Sequence, residues 1–409
     1  MKRYWFSILL PVFMAAGIGT YYAGASRGLP EYRLQTVAGD AKEAGNLVFD
    51  GQTRPTSYVY NNVSIGADGT EYDRNKSMIA QIRDNDHFRN PDLSKLLNDH
   101  RGFMRGKNSY SGFYADRDRL VYALAEQGPR DAATHLSHYE ISIYAQDLKT
   151  GKNKRFDAIM PGKQQYSYLN VDDIQFAGGQ LKLLVTLSTK VNDLRSGSLM
   201  TEIHLLTVDL DKEGIANDEM ITADAAKAAG KEEHYAVLDN DMNVASPSDY
   251  RILGKNTVLV SKDENGNWNE QMLATDYSVL DYRTGKLAPL PGDVKTDGSD
   301  ELHLLGGKLM KLSVLPDHAH VQFYDLGSGA DAGKYDIPMK LQGNDSVNKF
   351  VYGDRLYLFH REMEKSEVLI ANANDGKVVY QGQLTVDGTA EQQKEHLKAL
   401  VVFNFYLKQ

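Results

Sequence analysis

Cysteine is absent from the sequence. That one absence excludes disulfides, a lipid anchor on an N-terminal cysteine, thiolate zinc sites and cysteine nucleophiles. Serine nucleophiles have no foothold either: there is no Gly-x-Ser-x-Gly elbow, and Ser196-Gly197-Ser198 lies in a loop-like stretch. Gly-rich phosphate-binding fingerprints are missing. Positive charge is in deficit, with 46 Lys and Arg against 55 Asp and Glu for a net charge of -9. Loss of Lys2 and Arg3 with a leader would take -9 to -11. A nucleic acid or anionic surface would then meet net repulsion, so no nucleic-acid partner is expected. The hydrophobic fraction of 42% with 25% charged residues excludes disorder and allows a real core.

From Tyr4 to Ser26 no residue is charged, and Lys2 and Arg3 precede the segment. Its 23 residues can span a bilayer as an apolar helix. The basic flank keeps the N-terminus cytoplasmic and sends the chain beyond Arg27 across the membrane. Ala23-Gly24-Ala25 also has the small-x-small pattern of a signal-peptidase site. Residues 1–26 therefore read as a signal peptide or membrane anchor of a bacterial extracytoplasmic protein, either cell-membrane anchored or secreted. Residues 30–409 read as one β domain.

Helical periodicity is rare beyond residue 30. It is confined to Pro91–Met104, with Leu93, Leu96 and Leu97 on one face, to Ala223–Ala229, and to Glu391–Leu397. Elsewhere short runs such as Leu120-Val121-Tyr122 and Leu356-Tyr357-Leu358-Phe359 alternate with Gly, Asn and Asp turns, which predicts an all-β fold with short helical insertions.

One unit recurs: a strand ending in Asp or Asn, then Gly four residues later. It occurs as Asp147 with Gly151, Asp281 with Gly285, Asp325 with Gly329, Asn372 with Gly376, and Asp209 with Gly214 one residue late. The carboxylate or amide can accept backbone N–H bonds as the chain leaves the sheet, and Gly takes the positive φ of a tight turn. Upstream strands begin near Leu120, Leu181, Val258, Leu309 and Leu356, at spacings of 61, 77, 51 and 47 residues. Such periods suit four-stranded propeller blades, six or seven of them, with a further blade at Leu47-Val48-Phe49 and Tyr58–Asp73. The final run, Ala399–Leu407, is expected to pair beside Tyr32–Val37 and remove exposed edges.

The stretch Ala145-Gln146-Asp147-Leu148-Lys149-Thr150-Gly151-Lys152 resembles the Ala-x-Asp-x-x-Thr-Gly-Lys repeat signature of quinoprotein-like β-propellers, within a wider group of diverged, WD40-like extracytoplasmic repeats. In that family a Trp follows after two further residues; its position here holds Arg155, and Pro289 and Tyr380 in the copies ending at Lys286 and Lys377. The resemblance implies a propeller without the family's inter-blade Trp docking. It implies no quinone cofactor, because the adjacent-cysteine disulfide of many such dehydrogenases is impossible here. The cofactor is otherwise unspecified.

Candidate chemistry is sparse. His318 and His320 would share one face of a strand and could supply two metal ligands, although a solvated strand edge explains them as well. His135 and His138 read as loop residues. Asp209-Leu210-Asp211-Lys212-Glu213-Gly214 opens like a calcium loop, but Met220 stands where the bidentate Glu belongs. Asp239–Asn243 and Asp263–Asn267 read as hydrated acidic turns. Asp172-Asp173 and Asp116 with Asp118 are carboxylate pairs of a kind common in an acidic chain. Ser64–Tyr72 has the flavour of a sialidase repeat with the wrong spacing. The 24 tyrosines suit strands as well as carbohydrate or protein contacts. Phe88–Asn108, with Arg89, Lys95, His100, Arg101, Arg105 and Lys107, is a basic island in an acidic protein.

These features favour a non-enzymatic interaction module for a protein or envelope polymer, with Phe88–Asn108 on its ligand face and no catalytic or cofactor-binding residue assigned. An exported enzyme acting on a glycan or other small substrate, with acids and histidines gathered at a channel, is the alternative. A sensor reporting through its N-terminal helix would need a membrane partner.

Overall fold

A computed structural model describes residues 9–10, 12–14, 16–17, 29–56, 59–76, 90–107, 109–132, 134–160, 165–189, 200–238, 242–291, 294, 300–341, 346–362 and 365–408. Most of the apolar segment 4–26 lies outside them. Its described residues between 9 and 17 are helical, and no helix among the described residues is long and apolar enough to cross a membrane. Asp239–Asp241 and Phe88–Arg89 also lie outside.

The described strands form six antiparallel sheets of four or five strands, each built mainly from consecutive strands. The chain divides into two compact units: residues 1–94 with 339–409, and residues 95–338.

The larger unit holds four sheets. The second sheet of the chain contains Phe113–Ala115, Arg119–Arg130, Ser137–Asp147 and Asn153–Ala158. The third contains Tyr168–Ala177, Gln180–Thr189, Met200–Asp209 and Gly214–Ala223. The fourth runs through Ala225–Ala226, Lys231–Val237, Tyr250–Lys262, Trp268–Asp281 and Lys286–Pro289, and the fifth through Glu301–Leu305, Lys308–Val314, His318–Asp325 and Asp331–Pro338.

Apolar clusters join successive sheets. Ile141, Ile143 and Phe156 of the second sheet pack with Leu181, Leu183 and Val185 of the third. Leu184, Ile203 and Leu205 of the third sheet pack with Leu253, Leu280 and Tyr282 of the fourth. Ile252 of the fourth packs with Leu302, Leu309 and Tyr324 of the fifth. Leu183 and Leu184 therefore serve opposite faces of one strand, as the two-residue side-chain period requires. A sheet buried on both faces needs a nearly unbroken apolar run, which is what Leu181–Leu187 supplies. Each leucine fully buried this way contributes about 2 kcal/mol.

The smaller unit pairs the two ends of the chain. The first sheet comprises Leu47–Thr56, Val59–Gly66 and Gly69–Tyr72, completed by the C-terminal strand Leu400–Leu407. The sixth comprises Ser346–Tyr352, Arg355–Arg361, Ser366–Asn372 and Val378–Val386, completed by the N-terminal strand Tyr32–Gly39. The expected pairing of Ala399–Leu407 beside Tyr32–Val37 is thus corrected: the two terminal strands do not pair with each other. Leu407 lies opposite Leu47, and Tyr32 opposite Val386, because each terminal strand fills an open edge of the sheet at the other end of the chain. Phe49 and Phe405 of the first sheet pack among Phe350 and Phe359 of the sixth, with centroids 4.8–6.0 Å apart.

The Asp/Asn corners form as the sequence implies. The side chains of Asp147, Asp281, Asp325 and Asn372 each accept a turn N–H at 2.7–2.8 Å. Their own carbonyls accept the N–H of the fourth residue on, Gly151, Gly285, Gly329 or Gly376, each with φ between +68° and +73°. The late glycine of the fifth copy has a physical reason: Glu213, not Gly214, occupies the fourth position and takes φ +54°. Turn N–H groups hold the carboxylates of Asp147 and Asp209 below their usual range, and the Ser328 hydroxyl, then its N–H, does so for Asp325, so these corners weaken as pH falls through the lowered values.

Helical expectations hold at two places of three. Asn90 caps Pro91–Asp99 through the N–H groups of Asp92 and Leu93. Leu93 and Leu96 are buried, but Leu97 is 39% exposed and leaves the predicted face. Thr389 and Gln392 form a capping box on Ala390–Ala399. The Ala223–Ala229 reading is corrected: Ala225–Ala226 is a short strand followed by a single turn, Ala228–Gly230, with Ala229 at φ +59°. Strand pairing with Glu232 and Glu233 overrides alanine's helical propensity there.

This backbone makes two changes in stability predictable. Glu213→Gly relieves the left-handed strain and should raise unfolding stability by about 0.5–1 kcal/mol in urea melts, whereas Glu213→Val should lower it. A Cβ at Gly51 would meet the Val401 carbonyl oxygen at 2.5 Å. Gly51→Ala should therefore cost about 1–3 kcal/mol by pushing the C-terminal strand off its edge, read as a lower urea midpoint with faster hydrogen exchange in 400–407.

Candidate functional site

A groove of about 680 Å³ lies between the second and third sheets. Val121, Ala145, Leu181 and Val208 give it apolar walls, and Arg119, Lys152, Lys154 and Asp211 give it charge. Two repeat corners, Asp147 and Asp209, bound it. Lys154 Nζ donates to the Leu210 carbonyl and to Asp211 Oδ1, both at 2.9 Å, and so ties the second sheet to the corner of the third. The Arg119 guanidinium lies 4.3 Å over the Phe176 ring, whose other neighbour is Tyr114 at 5.1 Å.

Arg155, at the family's Trp position, does not dock between sheets. It covers the Tyr144 ring of its own sheet at 4.8 Å. Lys107 shares that aromatic patch, with Nζ over Phe103, Tyr144 and Tyr122 at 4.3, 4.7 and 5.6 Å. Burial, then the nearby Arg155 charge, lowers the Lys107 pKa. Within the basic island, Lys95, Arg101 and Arg105 are exposed, while Leu93, Leu96 and Met104 are buried.

The carboxylate pair Asp172-Asp173 is split by a β-bulge between Val171 and Asp173. Asp173 is buried and structural: it accepts from the Tyr282 hydroxyl at 2.6 Å, the Ile174 N–H at 2.8 Å and Gln175 Nε2 at 3.2 Å. Gln175 in turn accepts the Ser248 N–H at 2.8 Å, so the cluster links the third and fourth sheets. Burial raises the Asp173 carboxyl and drives the Tyr282 phenol far up. Asp172 is half-buried, accepts from Thr186 Oγ1 at 2.5 Å and Asn170 Nδ2 at 2.7 Å, and is pushed up to about 6 by burial.

The remaining candidates resolve individually. Asp116 caps the Asp118 and Arg119 N–H groups, so that pair is a turn. Asp209 caps Asp211 and Lys212, and Asp211 faces Lys154, so the calcium-like loop is a repeat corner. Asp263 caps Asn265 and Asn267. Ser64 donates to Asp50 within the first sheet. His135 sits in a loop at φ +58°, but His138 belongs to the strand Ser137–Asp147 and faces Gln165. His318 and His320 do share a strand face, and pairing brings Asp336 to them.

Sequence reasoning missed a Glu-x-His pattern at Glu202-His204, Glu232-His234 and Glu301-His303. His204 lies between Asp218 at 2.6 Å and Glu202 at 3.1 Å, and His234 between Asp224 at 3.3 Å and Glu232 at 3.5 Å. The alternation on a strand was the available signal.

No family model and no curated protein matches the chain. Similar solved structures include TolB from Acinetobacter baumannii, 13% identical, covering 83% of this chain and 64% of that one at TM-score 0.28. A periplasmic gluconolactonase of Pseudomonas aeruginosa is 11% identical over 88% of this chain and 100% of its own at TM-score 0.30. The β-propeller domain of the Trilobed protease from Pyrococcus furiosus is 9% identical over 82% and 95% at TM-score 0.26. The chain thus spans less than two thirds of the TolB chain. With likeness of this order, the fold reading rests on the chain's own strand pairing.

Asp172 carries a pH prediction. Its folded pKa, about 6, lies above the unfolded carboxylate value near 4, so the stability it gives is present below pH ~4 and lost as pH rises through ~6. Asp172→Asn removes that loss, and the variant should exceed the parent by about 1–2 kcal/mol at pH 7.5 with the gap closing by pH 4, measured by urea denaturation at both pH values.

Proposed function

We propose that the chain is an extracytoplasmic β-propeller whose six sheets are its blades, and that it works as a binding module for a protein or an envelope polymer. Residues 4–26 tether it to the membrane where they are retained, and it is secreted where they are cleaved. The observation that carries the binding reading is the groove between the second and third sheets, which combines apolar walls with a charged rim. Arg119 stacks on Phe176 in its lining, which sets a cation and an aromatic side chain together where an amphipathic ligand segment can meet both.

The basic segment Phe88–Asn108 contributes through Lys95, Arg101 and Arg105. It is not a detachable loop, because Leu93, Leu96 and Met104 are buried and Lys107 covers three aromatic rings. Point substitutions rather than excision are the proper probe of it.

The second reading, an exported enzyme acting on a glycan or other small substrate, draws on the raised carboxyl of Asp172. Asp173 is committed to Tyr282 and Gln175, so a mechanism with two carboxylates would need its second group from another element.

The test uses the immobilised full chain and solubilised envelope material from the native host. The chain should retain a defined component that Phe176→Ala/Arg119→Ala retains at least tenfold less, while both proteins keep the same near-UV spectrum. Equal retention by both, or none by the parent, overturns the groove as the binding site.

A further inference from the structure

We propose that His318, His320 and Asp336 form a surface site for a divalent transition-metal ion of the zinc class. The hairpin of His318–Asp325 and Asp331–Pro338 builds it. His320 lies directly opposite Asp336, and His318 shares the face of His320 at the two-residue strand period. Ala319, Val321 and Phe323 take the other face into the core, so the three donors stand on a rigid support and project away from it.

The distances suit an ion. One donor atom from each residue lies within 4.8 Å of the other two. Asp336 Oδ1 is 2.6 Å from His320 Nδ1 and 3.7 Å from His318 Nε2. Ligands held at ~2.0–2.2 Å from zinc in tetrahedral geometry stand about 3.3–3.5 Å apart, so small side-chain rotations, one opening and one closing, seat the ion.

A second observation points the same way. Asp317 Oδ1 lies 2.6 Å from His318 Nδ1. Nδ1–H donating to that carboxylate leaves the Nε2 lone pair facing Asp336, which is the carboxylate–histidine arrangement that orients metal-bound imidazoles. The donor set of two imidazoles and one carboxylate selects zinc, copper or nickel over calcium and magnesium, which take oxygen. Three protein donors leave the ion at least one position toward solvent, open to water or to a donor from another molecule.

The experiment titrates Zn²⁺ alone into chelator-treated full chain by calorimetry. One equivalent should bind. His318→Ala/His320→Ala should abolish that binding without altering the far-UV spectrum, since both side chains lie off the core face, and Asp317→Asn should weaken it at least tenfold at unchanged stoichiometry. His135→Ala/His138→Ala should bind as the parent does. Absence of binding by the parent, or equal binding by the His318→Ala/His320→Ala protein, overturns the site; unchanged affinity in Asp317→Asn overturns the orienting role of that carboxylate.

Discussion

Neither end sheet of this chain is complete without a strand from the other end. The N-terminal strand Tyr32–Gly39 finishes the sixth sheet and the C-terminal strand Leu400–Leu407 finishes the first. Backbone pairing alone does not hold this exchange. The Tyr32 hydroxyl meets Thr53 Oγ1 at 3.0 Å and donates to the His396 carbonyl at 3.1 Å, while its backbone N–H and carbonyl both bond Thr70 Oγ1. Tyr72 donates to the Pro30 carbonyl, and Arg355 grips Glu43 at 2.8 and 3.0 Å. A chain without disulfides closes its ends by such non-covalent stitching, of which Tyr32–His396 and Glu43–Arg355 join residues hundreds of positions apart. Contacts that distant carry the loop-closure entropy of the chain between them, which the packing of the intervening sheets offsets.

Between those ends the same local device repeats. An Asp or Asn ends a strand, caps the turn with its side chain, and places a left-handed residue at the fourth position. The N–H of the next residue then donates to the turn between the first two long strands of the same sheet: Leu148 to Asp118, Tyr282 to Asp249 and Ala373 to Asp354, at 2.7–3.0 Å. These three corners are thereby fixed to a neighbouring turn by bonds internal to their own sheets. Where sheets meet, packing is mainly apolar, and the Asp173–Tyr282–Gln175 cluster is a buried polar tie among it. There Tyr282 supplies a large ring and a hydroxyl at an inter-sheet contact.

Local signals were legible and long-range ones were not. The corners could be read because their physics is contained in five residues, and Glu213 shows why a one-residue irregularity remained: the backbone requirement sits at a fixed offset, and glycine is only its usual occupant. The helix at Glu391–Leu397 was legible for the same reason, and the structure adds its capping box of Thr389 and Gln392. The partner of the last strand was illegible, because any apolar strand can satisfy another strand's edge and only the sum of sheet packing selects one. The Glu-x-His pattern escaped for a related reason. Its meaning depends on Asp218 and Asp224, which strand pairing and a turn bring to the histidines.

Asp336 illustrates where the limit falls. Folding the fifth sheet's hairpin about the corner at Asp325–Gly329 opposes Tyr324 to Asp331, and continuing that register would set Tyr335 across from His320. A bulge near Gly333, held by the Asp331 carboxylate accepting the Gly333 N–H at 2.8 Å, shifts the register by one residue. Because the strand period is two, that one-residue shift turns Tyr335 away and presents Asp336 beside the two histidines. Comparable irregularities come after the corners of the third and sixth sheets, between Thr207 and Val208 and between Ile370 and Ala371. The bulge therefore belongs to the corner design in three of the five copies, and in the fifth sheet it converts a pair of strand histidines into a three-donor cluster.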